Sequence, residues 1–341
     1  MLIDSNTAVI VPRKKKWPRV VLIIFAVLLV LVCTGMLYQL FAVKQDQAQY
    51  PPVGQLLSIN GHQMHLYSIG EGGPTVVLGA GLGTPSPYAD FYPLYTALAK
   101  HTRVIVYEKA GYGWSEPTDR TPDIDTVTDE LHLMLKLAGV SPPYIMVGHS
   151  LASLEAIHFA QKYKSETAGV VLLDGGNPDF YKNNTVTWQQ ILPMYAIRLA
   201  TNIGLVRTLS YIPDVADFIT TIEAGYGDQL PSQLKQLSLA MTLKNVYNPM
   251  IINELNCSID NASKVSAAGH IGNIPLLIFT AGRTTLAEWV TTQQNLTDWS
   301  SQSTQFVLQD AGHYVHHHDP NTINEQIIKL IQQLRLHSKT S

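Results

Sequence analysis

The sequence predicts an α/β protein: a mostly parallel sheet flanked by helices on both sides, carrying a helical insertion and preceded by one transmembrane helix. Three observations lead there. Short runs that are apolar on both faces alternate with amphipathic helical patterns, as buried parallel strands and their crossover helices do. One long stretch between two such runs contains no convincing buried strand. A block of 24 uncharged residues follows a basic N-terminus.

That block, Val20–Val43, is long enough to cross a hydrocarbon core, which takes roughly 20 apolar residues at 1.5 Å each. Arg13, Lys14, Lys15, Lys16 and Arg19 precede it, whereas Lys44 and Asp46 offset each other behind it. The positive-inside bias therefore puts residues 1–19 in the cytoplasm and everything after Val43 outside. A cleaved signal peptide would have a shorter apolar core ending at small residues. No such site follows here, and Cys33 lacks the small preceding residue of a lipoprotein site. Cys33 and Cys257 are the only cysteines, too few for a disulfide framework and without metal or redox spacing. The chain has 46% hydrophobic and 14% charged residues, against about 25% charged in a typical soluble domain. Beyond the span the body is acidic, with a net charge of -7, which argues against nucleic acid as a partner.

Residues 44–53 read as a polar, proline-ended stalk. Gln55–Ile59 and Met64–Ser68 flank Asn60-Gly61-His62, a hairpin signal because Asn-Gly tolerates the positive φ of a tight turn. Strands are then expected at Thr75–Leu78, Arg103–Tyr107, Tyr144–Val147, Gly169–Leu173, Leu276–Thr280 and Gln305–Leu308. Thr126–Leu137 aligns Val127, Leu131, Met134 and Leu135 on one helical face, and Asn321–Leu336 does the same with Ile323, Ile327, Leu330 and Leu334. The core thus runs over 54–177 and 265–341. Residues 178–264, rich in aromatics, form the insertion, placed over the carboxyl edge of the sheet, where ligands bind in such folds.

Chemistry concentrates at Tyr144-Ile-Met-Val-Gly148-His149-Ser150-Leu151-Ala152. A buried strand runs into Ser150 and straight out into a helix. The small residues at minus two and plus two are what a sharp strand-to-helix turn requires, and that turn presents a nucleophile at a helix N-terminus. An ordinary serine N-cap would look similar in isolation.

Beyond the stalk the chain resembles the α/β-hydrolase family. Gly79-Ala80-Gly81-Leu82-Gly83 stands where that family has its His-Gly oxyanion loop, with Ala80 for the His. Tyr107-Glu108-Lys109-Ala-Gly111-Tyr-Gly113-Trp-Ser115 is similar to its Asp-Arg-x-Gly-x-Gly-x-Ser segment. Ala311-Gly312-His313 occupies the place of its catalytic histidine. The resemblance implies a Ser150–His313 pair acting through an acyl-enzyme, because a serine hydroxyl needs a base to take its proton. It also implies an oxyanion hole from the backbone N–H groups of Leu151 and Leu82.

The acid stays open at this level. The family commonly places it after the penultimate strand, where this chain has no Asp and offers Glu288. Some members place it one strand earlier, where Asp174 stands. Asp174 is favoured over Glu288, with Asp298 third. His149 is assigned to packing beside the oxyanion hole, and His316-His317-His318 to a solvated or pocket-rim cluster, since three adjacent side chains cannot converge on one ion. No cofactor and no metal are expected.

An aromatic roof without a cluster of Arg or Lys suits a small-molecule acyl substrate: a neutral, partly apolar ester, lactone or acyl amide. Ser150 counts against dehalogenase or epoxide-hydrolase chemistry, which needs an Asp nucleophile. Glu223 and Glu254 leave an aminopeptidase open, C–C bond hydrolysis by the same triad stays open too, and a non-hydrolytic sensor on this scaffold is the alternative class. Sequons begin at Asn183, Asn256, Asn261 and Asn295.

Overall fold

The computed structural model describes residues 17–224 and 230–340. Arg13–Lys16 of the basic tail, and the side chain of Glu223, lie outside the described residues.

Eight strands form one sheet: β1 (Gln55–Ile59), β2 (His62–Ile69), β3 (Thr75–Gly79), β4 (Val104–Tyr107), β5 (Tyr144–His149), β6 (Thr167–Leu173), β7 (Leu276–Ala281) and β8 (Ser303–Leu308). Their order is β1-β2-β4-β3-β5-β6-β7-β8. β2 is antiparallel to β1 and β4, and every later pairing is parallel. The helices are α1 (Trp17–Gln49), α2 (Pro87–Asp90), α3 (Tyr92–Leu98), α4 (Ile124–Leu137), α5 (Ala152–Lys162), α6 (Pro178–Asn183), α7 (Trp188–Asn202), α8 (Leu205–Leu209), α9 (Pro213–Ala224), α10 (Ser232–Asn245), α11 (Pro249–Ala268), α12 (Ala287–Asn295), α13 (Val315–His318) and α14 (Pro320–Thr340).

The central strands are buried on both sides, so successive residues serve two cores. Val77 of β3 and Met146 of β5 join Leu131 and Met134 of α4 and Ile157 and Phe159 of α5. Val76 and Leu78, with Ile145 and Val147, join Leu94 and Leu98 of α3 and Ile323 and Ile327 of α14 on the other face. Asp123 caps α4, its Oδ1 accepting from the N–H groups of Asp125 and Thr126 at 3.1 and 3.2 Å.

Between β6 and β7 the described chain is helical, α6 to α11, and it packs on the loops at the carboxyl ends of β4 and β6. Asn248 does two jobs there. Its Oδ1 caps α11 through Met250 N–H at 2.9 Å, and its Nδ2 donates to Gly111 O at 2.6 Å. Asn261, read as a sequon, is buried and accepts from Ile124 N–H at 2.8 Å, so its amide is committed to the fold.

One segment departs from the sequence reading. α1 does not end where the charges begin but continues to Gln49, so most of the expected stalk is helix. Nothing in Lys44–Gln49 breaks a helix before Pro51-Pro52. The continuation also has a partner. Tyr38, Gln39, Ala42 and Asp46 form a stripe at helical spacing that is turned toward α7, α8 and α10. Gln39 Nε2 donates to Leu243 O at 2.6 Å, and Arg207 meets Asp46 Oδ2 at 2.7 Å. The rest of α1 up to Phe41 is mostly exposed and apolar, with a stretch of mean hydropathy 3.2, and the helix is long and apolar enough to cross a membrane.

Candidate active site

Ser150 follows directly on β5 and precedes α5, and the chain turns so sharply there that its φ is +52°. A left-handed φ on a serine is strained and is held only by its surroundings. Those are visible: Ser150 N–H donates to Leu173 O at 3.2 Å, and Ser150 O accepts from Gly176 N–H at 2.9 Å. Gly148 lies so close to the Ala152 carbonyl that a Cβ would collide with it. A Cβ on Gly81 would lie 2.9 Å from His149 Nδ1 and 3.0 Å from Ser150 Cβ. The β3–α2 loop therefore passes directly over the serine, bringing its backbone to the hydroxyl.

His313 sits in the loop after β8, its side chain 41% exposed. Its Nδ1 lies 2.6 Å from Asp174 Oδ2. Asp174 ends β6 at φ +39°, completely buried, and its Oδ1 accepts from Ala281 N–H at 3.0 Å. Glu288 is exposed on α12, and Asp298 lies in the short turn after it. Of the three acids considered, Asp174 is the one that the structure brings to His313.

His149 is buried, with its Nε2 3.1 Å from the His313 carbonyl and its ring 4.8 Å from the His313 ring. Burial drives its pKa well below the ordinary value, so the ring is neutral. His316 and His317 correct the sequence reading. They are buried rather than solvated, both placing Nε2 on Asp90 Oδ1, at 3.0 and 2.9 Å; His318 alone is exposed. Burial pushes the Asp90 carboxyl up, but the two imidazoles outweigh it and hold it below the usual carboxylate range. Among the described residues, Asp90, His149 and His316 are the group whose ligand atoms could surround a cation, lying within 4.8 Å of one another. α13 turns both His316 and His317 onto the one Asp90 carboxylate.

Two features escaped sequence reasoning. Tyr181 of α6 packs onto Gly176, whose N–H holds the Ser150 carbonyl. Burial raises its pKa, so it stays a neutral phenol. Beneath the site, Lys109 Nζ bonds Glu155 Oε1 at 2.7 Å and Glu254 Oε1 at 2.5 Å. Tyr107 donates to Glu155 and Tyr112 to Glu254, each at 2.5 Å, and the Tyr112 hydroxyl accepts from Gly83 N–H at 3.0 Å. This buried network joins the β3–α2 loop, the β4 loop, α5 and α11. Burial raises the Glu254 pKa, while the adjacent carboxylates overcome burial to raise that of Lys109. The Glu108-Lys109 pair in the sequence was its only signal, because its carboxylates come from residues far along the chain.

A family profile described as the alpha/beta hydrolase fold matches residues 74–320. The uncharacterized protein YbdG of Bacillus subtilis (strain 168) is 27% identical over 323 residues, covering 93% of this chain and 98% of that one. An enol-lactonase from Burkholderia xenovorans LB400 superposes with a TM-score of 0.58 at 18% identity, covering 81% of this chain and 99% of its own. The haloalkane dehalogenase DbeA-M1 loop variant from Bradyrhizobium elkanii gives 0.60 at 16%, covering 84% and 98%. At these identities the two structures show a shared fold and leave the choice of substrate to the side chains.

Proposed function

Because the chain belongs to the α/β-hydrolase fold family, we propose that it is a serine hydrolase in which Ser150, His313 and Asp174 cleave a neutral, partly apolar ester, lactone or acyl amide. α1 anchors it in a membrane with the catalytic domain outside the cytoplasm. The observation that carries the catalytic reading is the 2.6 Å contact between His313 Nδ1 and a buried Asp174, beside a serine strained at φ +52°.

The chemistry follows from that pair. With Nδ1–H donated to Asp174, the neutral tautomer of His313 keeps Nε2 free as a base. Nε2 takes the Ser150 proton as Oγ attacks the acyl carbon. The oxyanion that forms accepts hydrogen bonds from Leu151 N–H and Leu82 N–H. Leu82 as the donor in its loop is supported by Gly83 N–H being already bonded to Tyr112. His313 then passes its proton to the leaving oxygen or nitrogen, and water attacks the acyl-enzyme by the same route. Asp174 stays ionised and stabilises the imidazolium. Ser150 also favours ester-type chemistry over the dehalogenation named for one of the structural neighbours, which would need a carboxylate at that position. Glu254, already bonded to Lys109 and Tyr112, is not free to bind a substrate amine, which counts against the aminopeptidase reading.

The deciding experiment is a time course of p-nitrophenyl butyrate hydrolysis by the full chain in detergent micelles, beside Ser150→Ala. The full chain is needed because removing α1 would strip the partner from Leu243 and Arg207. Sustained, Ser150-dependent release is expected. Release unchanged in Ser150→Ala would overturn the assignment, and a single burst that stalls would replace the hydrolase with a sensor or an acyltransferase.

A further inference from the structure

The helices between β6 and β7 expose an apolar face that the active site does not use. α7 buries Met194 against Tyr112 and Ile251, next to Leu82. On its other side Leu192, Tyr195 and Leu199 are exposed at helical spacing. Leu205 and Leu209 of α8 are exposed beyond them, whereas α9, where Phe218 is exposed, also exposes Asp214 and Asp217. Water-facing helices ordinarily show charge on such a side. From Asn183 to Pro213 the only charged residues are Arg198 and Arg207. Both are turned inward, Arg198 to Lys244 O at 2.9 Å and Arg207 to Gln39 Oε1 and Asp46 Oδ2, each at 2.7 Å.

This face is continuous with α1. Gly35 and Gly204 bring the two backbones into contact: a Cβ on Gly204 would lie 2.8 Å from Gly35 O, and one on Gly35 would strike Ile203 O. The height of that contact can be reckoned from the rise of a helix. If the hydrocarbon ends at Val43, Gly35 lies about 12 Å inside it at 1.5 Å per residue. If roughly 20 residues from Val20 fill the core, it ends at Gln39, and Gly35 is still about 6 Å inside. On either placement the α7–α8 junction is below the surface. Arg207 fits this arrangement, reaching away from the bilayer to Asp46, as long cationic side chains do near an interface.

We propose that the exposed apolar face of α7 and α8 lies in the acyl layer of the bilayer beside α1, as a second, monotopic membrane attachment. The proposal rests on the reading of α1 as a membrane span and is independent of the catalytic assignment. It places α7 as the wall between lipid on one side and the Ser150 site on the other.

The full chain, carrying Cys33→Ser and Cys257→Ser, is given a single Leu199→Cys or Leu209→Cys, labelled with an environment-sensitive nitrobenzoxadiazole and reconstituted into phosphatidylcholine–phosphatidylglycerol vesicles. Leu28→Cys, in the middle of α1, is the reference position. The expected result is quenching of about twofold or more at 199 and 209 when brominated acyl chains replace ordinary ones, with little effect of aqueous iodide. Iodide quenching at 199 and 209, with Leu28→Cys quenched by bromolipid, overturns the attachment and leaves the span in place. Shielding from both quenchers, with cross-links between copies, assigns the face to a second chain and overturns it too. A Leu28→Cys label that bromolipid does not reach removes the span and the proposal together. Loss of Ser150-dependent turnover would leave every one of these readings unchanged.

Discussion

Asp174 and His313 meet at 2.6 Å although 139 residues separate them, one at the end of β6 and the other in the loop after β8. The carboxylate is fully buried and the imidazole is partly open to solvent. That asymmetry suits an acid that only orients and stabilises, beside a base that must reach a reacting group.

Asp174→Asn is accordingly expected to reduce kcat by on the order of 10³–10⁴, since an amide can reverse the tautomer of His313. Glu288→Gln, on the exposed side of α12, should leave kcat within about twofold. Steady-state rates on one ester for both variants check this; the reverse order would move the acid to the later strand.

Two glycines separate packing from catalysis. Gly148→Ala drives a methyl into the backbone of α5 at Ala152. It should lower stability by about 3 kcal/mol or more, above ordinary overpacking because backbone cannot yield. Gly81→Ala meets the His149 and Ser150 side chains at 2.9 and 3.0 Å and the His149 carbonyl at 3.2 Å, a milder encounter than the collision at Gly148. Its melting temperature should stay close to that of the parent while kcat/KM falls about 10²-fold, the scale of a small misplacement at the reacting centre. Thermal melts run alongside rate measurements distinguish the two.

Lys109 neutralises two buried carboxylates, so Lys109→Met strands both. A loss of about 3–5 kcal/mol is expected from urea unfolding. Adding Glu254→Gln to that variant should recover part of it, because one of the two uncompensated charges is then gone. No recovery would mean that Lys109 acts through packing of its aliphatic stem rather than through charge.

His65 lies 3.0 Å from Glu108, both fully buried. Burial lowers the imidazole pKa, but the carboxylate outweighs it and the net shift is upward. The folded protein therefore holds this proton more tightly than the unfolded chain. The stabilisation is complete below about pH 6.5, the unfolded value, and fades as pH rises through the raised folded one. His65→Gln should thus cost more at pH 6 than at pH 9, by about 1.4 kcal/mol for each pH unit that the folded pKa lies above the unfolded one. Denaturant midpoints of parent and variant at the two pH values measure it, and a pH-independent difference would show that His65 is neutral.

The parts legible in the chain were those governed by neighbours a few residues away. The period-two and period-3.6 patterns placed all eight strands, and the helices α4 and α14, to within a few residues. The turn around Ser150 was legible for the same reason: Gly148 and Ala152 are small enough to permit the left-handed φ that bonds to Leu173 and Gly176 then hold. So was the apolar run of α1, since its length and composition are read directly from the chain.

Tertiary structure decided the rest. Asp174 and Glu288 were both acceptable on spacing, and only the parallel pairing of β6 with β7 and β7 with β8 carries one of them to His313. Adjacent histidines that cannot share an ion in an extended chain converge on Asp90 once α13 turns them. Lys109 finds Glu155 and Glu254 because a buried charge must be paired, and no local pattern names the partner. α1 outlasts its apolar run because α7, α8 and α10 supply the surface that its last turns cover. Local chemistry determines which elements form, whereas long-range packing selects which side chains meet.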